Sequence, residues 1–253
     1  MERKLKPTNT RDEAQKFFVG GVSPFLRFEI QYHSLCYLVE SHKNDEHFVG
    51  NPASEVAWVG CIAHFEAFCK HQFAALINIC PALVQDFSAK RTQASLKLSE
   101  IVAVLESFKS SIGCLLAEQY DFGSANLING LFRDLLAVTP FSKDEAKSFD
   151  AILRKRHLLV HHGGTYTLRY VQAAKPSDKI PGCAFRDSIL ITTEMYHDMS
   201  DFLFQMAMKI TRATSCSLRR RLRGRKQNSE PLEGIRRLFE GLYDSLDESG
   251  KRK

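Results

Sequence analysis

The sequence predicts an all-α protein, a helical bundle interrupted by one small β-hairpin near residues 165–192. Two observations carry this. Apolar residues recur three and four positions apart over long stretches, as on one face of a helix. The stretches are punctuated by cap-forming Ser residues, by Pro near helix starts and by Gly after helix ends. The chain has 253 residues, 44% of them hydrophobic, enough for one large core with appendages.

Taken in order, residues 9–18 predict a short helix that "GGVSPF" ends. Residues 24–43 predict a second, entered at Ser23-Pro24, with Phe25, Phe28, Tyr32 and Leu35 at helical spacing. Residues 42–54 are rich in Asn, Asp, Gly and Pro and read as a loop. A long helix over about 53–79 follows, on the stripe Trp58, Ile62, Phe65, Cys69, Phe73, Leu76 and Cys80, with Pro81 at its end. Another is predicted over about 91–118, on Ile101, Leu105, Phe108, Ile112 and Leu115, and a shorter one over 124–137 behind Ser124. Ser142 and Glu145 have capping-box spacing. They open a helix over about 143–162, with Phe149, Ile152, Leu153, Leu159 and Val160 inward and Gly163-Gly164 as its stop. The period then changes: "TYTLRYVQAA" and "DSILITTE" alternate, and are expected to pair as the hairpin. Residues 193–215 return to helix, with Phe202, Met206 and Ile210 inward.

Four regions result: a helical extension over 1–50, a helical domain over 51–215, a basic linker over 216–228, and an amphipathic helix and tail over 229–253. The tail stripe is Leu232, Ile235, Leu238, Phe239, Leu242 and Leu246. Such a stripe either folds back on the bundle or, over 229–248, binds a regulatory protein. Its acidic residues, Glu230, Glu233, Glu240, Asp244, Asp247 and Glu248, argue against an anionic lipid surface. No apolar run is long enough to span a bilayer, and the N-terminus has no signal-peptide centre. The expectation is a soluble, cytoplasmic protein without membrane contact. Seven cysteines, with no CxxC pair and mostly in apolar stretches, are expected to be buried free thiols, with no metal site and no cofactor.

Charge is unevenly placed. The net charge is +6, yet Phe202 to Ser229 holds no acid and eight bases: Lys209, Arg212, Arg219, Arg220, Arg221, Arg223, Arg225 and Lys226. Without them the balance is −2 (6 − 8). Arg219, Arg220, Arg221, Arg223, Arg225 and Lys226 are the candidate RNA-binding residues, because clustered cations bind polyanions by releasing counterions.

The chemistry-bearing stretch is "RKRHLLVHHGGTY", Arg154 to Tyr166. Arg156 and His161 are separated by four residues, which on a helix sets them about 140° apart. They converge only if the helix end loosens or a second chain supplies a copy. His157 shares a face with His161, and His162 lies one step further round. Guanidinium grips phosphate oxygens bidentately. Imidazole exchanges a proton near neutral pH. Together these groups suit metal-free cleavage of RNA through its 2′-OH, chemistry that DNA does not permit. The plain structural reading is that Arg154, Lys155, Arg156 and the histidines complement the helix dipole. His64 and His71, beside Glu66 on the long helix, are expected to be structural.

"RHLLVHHGG" resembles the closing motif of the HEPN superfamily: arginine, a polar residue that is usually Asn, a few mostly apolar residues, then histidine. Arg156, His157 and His161 occupy those positions, with His157 in place of the commoner Asn. The trailing glycines, and "IAHFEAFCKHQF" in the long helix, look like the RiboL-PSP-type branch. The resemblance spans roughly residues 52–215. It implies an all-α homodimer with a composite site in the dimer cleft, acting as a metal-independent endoribonuclease in toxin–antitoxin, defence or RNA-processing settings. Arg156 and His161 would be catalytic, with His157, His162 and Glu66 auxiliary. It also implies an alternative, because other members have lost catalysis and bind RNA, nucleotides or protein partners.

Overall fold

The computed structural model describes residues 17–43, 51–91, 96–173, 185–222 and 229–238. Within them the protein is all helical. The elements are α1 (Pro24–Ser41), α2 (Pro52–Ile79), α3 (Leu83–Lys90), α4 (Leu98–Ala103), α5 (Phe108–Glu118), α6 (Ala125–Leu136), α7 (Lys143–His162), α8 (Leu168–Ala173), α9 (Thr193–Leu222) and α10 (Ser229–Arg237).

Local chemistry explains the starts. Ser23 and Asn51 accept from the backbone N–H groups of Leu26 and Ala53, and Pro24 and Pro52 occupy the first helical positions. Ser124 accepts from Leu127 N–H. The capping box opening α7 is present: Ser142 N–H donates to Glu145 Oε2 at 2.7 Å, and Glu145 N–H to Ser142 Oγ at 3.3 Å. Gly163 ends α7 at φ 54°, and Gly164 N–H reaches back to the Leu158 carbonyl at 3.0 Å. This left-handed exit is where glycine costs least.

α2 is the axis of the bundle. It packs against α1, α5, α7, α9 and α10. Every member of its predicted stripe, from Trp58 to Cys80, is buried. Phe65 meets Phe28, Phe68, Phe141 and Phe149, with ring centroids 5.4–6.4 Å apart. Phe73 gathers Phe87, Tyr120, Phe122 and Phe132 in the same way. These aromatics bring α1, α3, α6 and α7 onto one core. α1 is part of that core, since Phe25 and Phe28 are fully buried. Gln72 donates to Thr214 Oγ1 at 3.0 Å, crossing the α2–α9 contact.

α2 and α5 approach closely at Gly113. A Cβ added at Gly113 would overlap the Ala74 carbonyl. Gly113 N–H donates to Asn78 Oδ1 at 2.8 Å, and Asn78 Nδ2 donates to the Phe17 carbonyl at 3.1 Å. The chain entering α1 is thereby tied to both helices.

Four expectations are corrected. Among the described residues the 165–192 hairpin is absent: residues 168–173 are the helix α8, and a single antiparallel bridge, Thr165 to Ser188, takes its place. Alternation across "TYTLRYV" is too short to distinguish a strand from one helical turn with Tyr166 and Tyr170 packed inward. The 91–118 helix is broken. α4 ends at Ala103, a tight turn spans Leu105–Ser107, and Leu105 is 67% exposed. The β-branched run Ile101, Val102, Val104 weakens continuous helix there. On α7, Phe149 and Ile152 are buried and Leu153 and Leu159 pack against the core as expected, but Leu158 is buried and Val160 half exposed. Finally, α9 continues to Leu222, so residues 216–222 are helix rather than linker.

The short α3 was not anticipated. Helix 9–18, apart from its last two residues, lies outside the described residues, as do Arg223, Arg225, Lys226, Cys183 and the tail beyond 238. Cys61, Cys69 and Cys80 are buried, Cys36 and Cys114 partly so, and Cys216 is exposed. No described helix is long and apolar enough to cross a membrane.

In its described part the tail stripe folds back: Ile235 and Leu238 are buried where α10 meets α2 and α9. A Cβ at Gly234 would stand 2.9 Å from Ile79 Cγ1 and 3.1 Å from the Phe17 ring. Gly234→Val is therefore expected to undock α10, costing about 1–3 kcal/mol by overpacking. Limited proteolysis beyond Leu222 reads this out as faster removal of the tail, with the remaining bundle intact.

His64 and His71 are half buried, and burial holds both below the ordinary imidazole pKa. The charges of Arg27 and Lys70 add to the effect at His71. A depressed folded value means that their contribution to stability is complete above the unfolded pKa of about 6.5 and is lost as pH falls through the folded values. Urea midpoints are expected to fall between pH 7 and pH 5, and to fall less in His71→Gln.

Candidate functional site: the end of helix α7

The last turns of α7 carry Arg154, Lys155, Arg156, His157, His161 and His162, and the helix directs them to two sides. Arg154 and Lys155 face a cleft of about 560 Å³ between α2, α7 and α9, which Trp58, Met195 and Phe202 also line. Lys155 Nζ stands 5.5 Å from the Trp58 ring centroid. His157, His161 and His162 face outward, all three exposed. The His157 ring lies 4.7 Å from that of His161 and 5.4 Å from that of His162. Slight burial, then the charges of His161, His162 and Arg169, hold His157 below its ordinary pKa. A proton on any one imidazole thus discourages a proton on His157.

Arg156 turns toward α2. Its Nη1 lies 3.3 Å from Glu66 Oε1, with the guanidinium 37% and the carboxylate 22% exposed. Glu66 is pushed up from the usual carboxylate range by burial, against the pull of Arg156, with Asp121 adding to the rise. Glu66 therefore orients the arginine rather than a histidine. Among the described residues no contact joins Arg156 to His161. The two sit on different sides of the helix, as their ~140° offset dictates.

Of the basic set, Arg219, Arg220 and Arg221 lie on the last turn of α9, and Arg221 is ion-paired with Asp86 of α3. Arg223, Arg225 and Lys226 are outside the described residues. Among the described residues no group of three or more His, Cys, Asp or Glu side chains is placed to hold a metal ion.

The sequence places 187–194 opposite 165–174, but it does not mark Phe185 and Arg186, or the fastening of this strip to the end of α7. Ile189 N–H donates to the Gly164 carbonyl at 2.8 Å, Tyr166 N–H to the Asp187 carbonyl at 2.8 Å, and Arg186 N–H to the Tyr166 carbonyl at 3.3 Å. Residues 185–189 are thereby held beside the helix end that bears the histidines. Arg169, exposed near the start of α8, joins the same surface. The signal available was "FRDS", a basic-aromatic pair running into a stretch read only as strand.

Fold and site together define a helical bundle with an exposed imidazole cluster at a glycine-terminated helix end, one turn beyond a carboxylate-anchored arginine. No protein-family model, curated protein or solved structure matches the chain.

Proposed function

We propose that the chain is a metal-independent endoribonuclease of the HEPN type, acting as a homodimer in a toxin–antitoxin or other defence setting. The observation that carries this is the exposed cluster of His157, His161 and His162 at the end of α7, with Arg156 one turn earlier. In this reading an imidazole removes the proton of a ribose 2′-OH. The oxygen attacks the adjacent phosphorus, the P–O5′ bond breaks, and a second imidazole protonates the leaving oxygen. The products are a 2′,3′-cyclic phosphate and a free 5′-hydroxyl. His161 is the principal acid or base, with His157 and His162 as further proton carriers and phosphate donors. Arg156 stabilises the charge of the pentacoordinate phosphorus, presented across a symmetric pair of chains rather than to its own His161.

A second reading is favoured by one contact. Arg156 is engaged by Glu66, which suits a non-catalytic module that binds RNA through the histidine surface. The test is incubation of the full chain with single-stranded RNA in EDTA. A ribonuclease yields cyclic-phosphate ends, and spares the same oligonucleotide when every 2′-OH is replaced by hydrogen. Intact RNA with measurable binding selects the second reading, and neither cleavage nor binding removes both.

A further inference from the structure

The turn at Phe185 and Arg186 is built in a way that packing does not explain. Phe185 is a large aromatic side chain that is 52% exposed. The Arg186 guanidinium carbon lies 5.6 Å from the Phe185 ring centroid. Arg186 has φ 75°, in the left-handed region that non-glycine residues rarely enter. A strained residue persists where its surroundings fix it, and such residues collect at binding sites. Here the fixing groups are the backbone bonds to Tyr166 and Gly164, and Tyr166 itself packs on Tyr170 with centroids 5.5 Å apart. The result is a planar ring and a planar cation, offered to solvent from a strip that backbone bonds fasten beside the end of α7.

The surroundings indicate what could lie on that ring. Arg169 and Arg186 are exposed, as are His157, His161, His162 and Asp187. Arg169 is close enough for its charge to act on His157, and the 185–189 strip is bonded to Gly164 and Tyr166 just past the histidines. A polyanion suits this balance better than an apolar partner. An aromatic ring in a cationic field is how proteins hold unpaired bases, because every base has a π-face and its phosphate is drawn to the cations. A duplex keeps its bases stacked on one another and does not present them.

We propose that Phe185 and Arg186 form a stacking subsite for one unpaired base of single-stranded RNA, the adjoining phosphate lying over the α7 histidines. This rests on the RNA reading above and adds the class of substrate: single-stranded, and held at one nucleotide by stacking rather than by base-edge recognition. In this subsite Arg186 is a stacking cation and takes no part in the chemical step.

The experiment uses the full chain carrying His161→Ala, to suppress cleavage, and a fluorescently labelled octauridylate titrated by anisotropy in EDTA. Adding Phe185→Ala is expected to weaken binding about 5- to 100-fold, the range for loss of one base–aromatic stack. Phe185→Trp should restore or tighten binding. Arg186→Gly, which keeps the backbone conformation but removes the cation, should fall between. Phe185 is exposed, so unchanged circular dichroism is expected throughout. Equal binding by the parent and the Phe185→Ala chain overturns the subsite and leaves the RNA reading standing. Equal affinity for a duplex of the same length does the same. A change in sedimentation with Phe185→Ala at unchanged RNA affinity assigns the face to a second copy of the chain and overturns the subsite. No binding by the parent chain, together with no cleavage by the wild type, removes both proposals.

Discussion

Gly113→Ala is expected to lower stability by about 3 kcal/mol, the upper end of the overpacking range. Alanine ordinarily gains about 1 kcal/mol over glycine inside a helix, so the sign depends on what the new methyl meets. At this position it meets backbone. The added carbon would overlap the Ala74 carbonyl and lie 2.7 Å from Asn78 Oδ1. Neither α2 nor α5 can relax by a rotamer change, because both atoms are held, one by the α2 helix and the other by its bond from Gly113 N–H. Separating the helices would break that bond and strip Asn78, which is 2% exposed, of the partner its amide oxygen needs. For a domain of this size the loss corresponds to a fall of roughly 10 °C in melting temperature. An unchanged or raised melting temperature would show that α2 and α5 do not approach through Gly113.

His161→Ala is expected to reduce RNA cleavage about 10²- to 10⁴-fold, the usual worth of a positioned general acid or base. The residue is exposed, so the fold should be unaffected. Arg156 calls for a different design. Removing it alone strips a half-buried Glu66 of its cation and moves that carboxyl further toward protonation. Arg156→Ala thus lowers stability as well as activity, and the two losses must be separated. The pair Arg156→Gln with Glu66→Gln removes both charges while keeping a polar, hydrogen-bonding side chain at each position. It should melt close to the wild type and remain as inactive as His161→Ala. Cleavage at wild-type rates by either protein would rule out the ribonuclease reading.

Much of the fold could be read in the sequence because the signals were local and repeated. The α2 stripe, the Ser142–Glu145 box and the Gly163 exit each rest on a few residues whose chemistry has one good solution. The break in the 91–118 region was not legible, because Leu105 and Phe108 keep helical spacing even where the chain turns between them. The pairing of 165–174 with 187–194 was legible in kind but not in extent. The alternating patterns put the two segments together, yet only the bridge at Thr165 and Ser188 forms, because residues 168–173 coil into α8. The site divides in the same way. Its residue types and their angular separation were available from spacing. That Glu66 would claim Arg156 was not, because that contact spans 90 positions and depends on how α2 and α7 cross.

The extension of α9 through Arg219, Arg220 and Arg221 has its own consequence. Side chains on successive helical positions point about 100° apart, and Arg221 leans on Asp86. The three guanidiniums fan around the rod and cannot close on a single anion. A nucleic-acid strand nearing this end would feel a pull of similar strength from most bearings. On the RNA reading, such a field would guide a strand inward without choosing between one sequence and another.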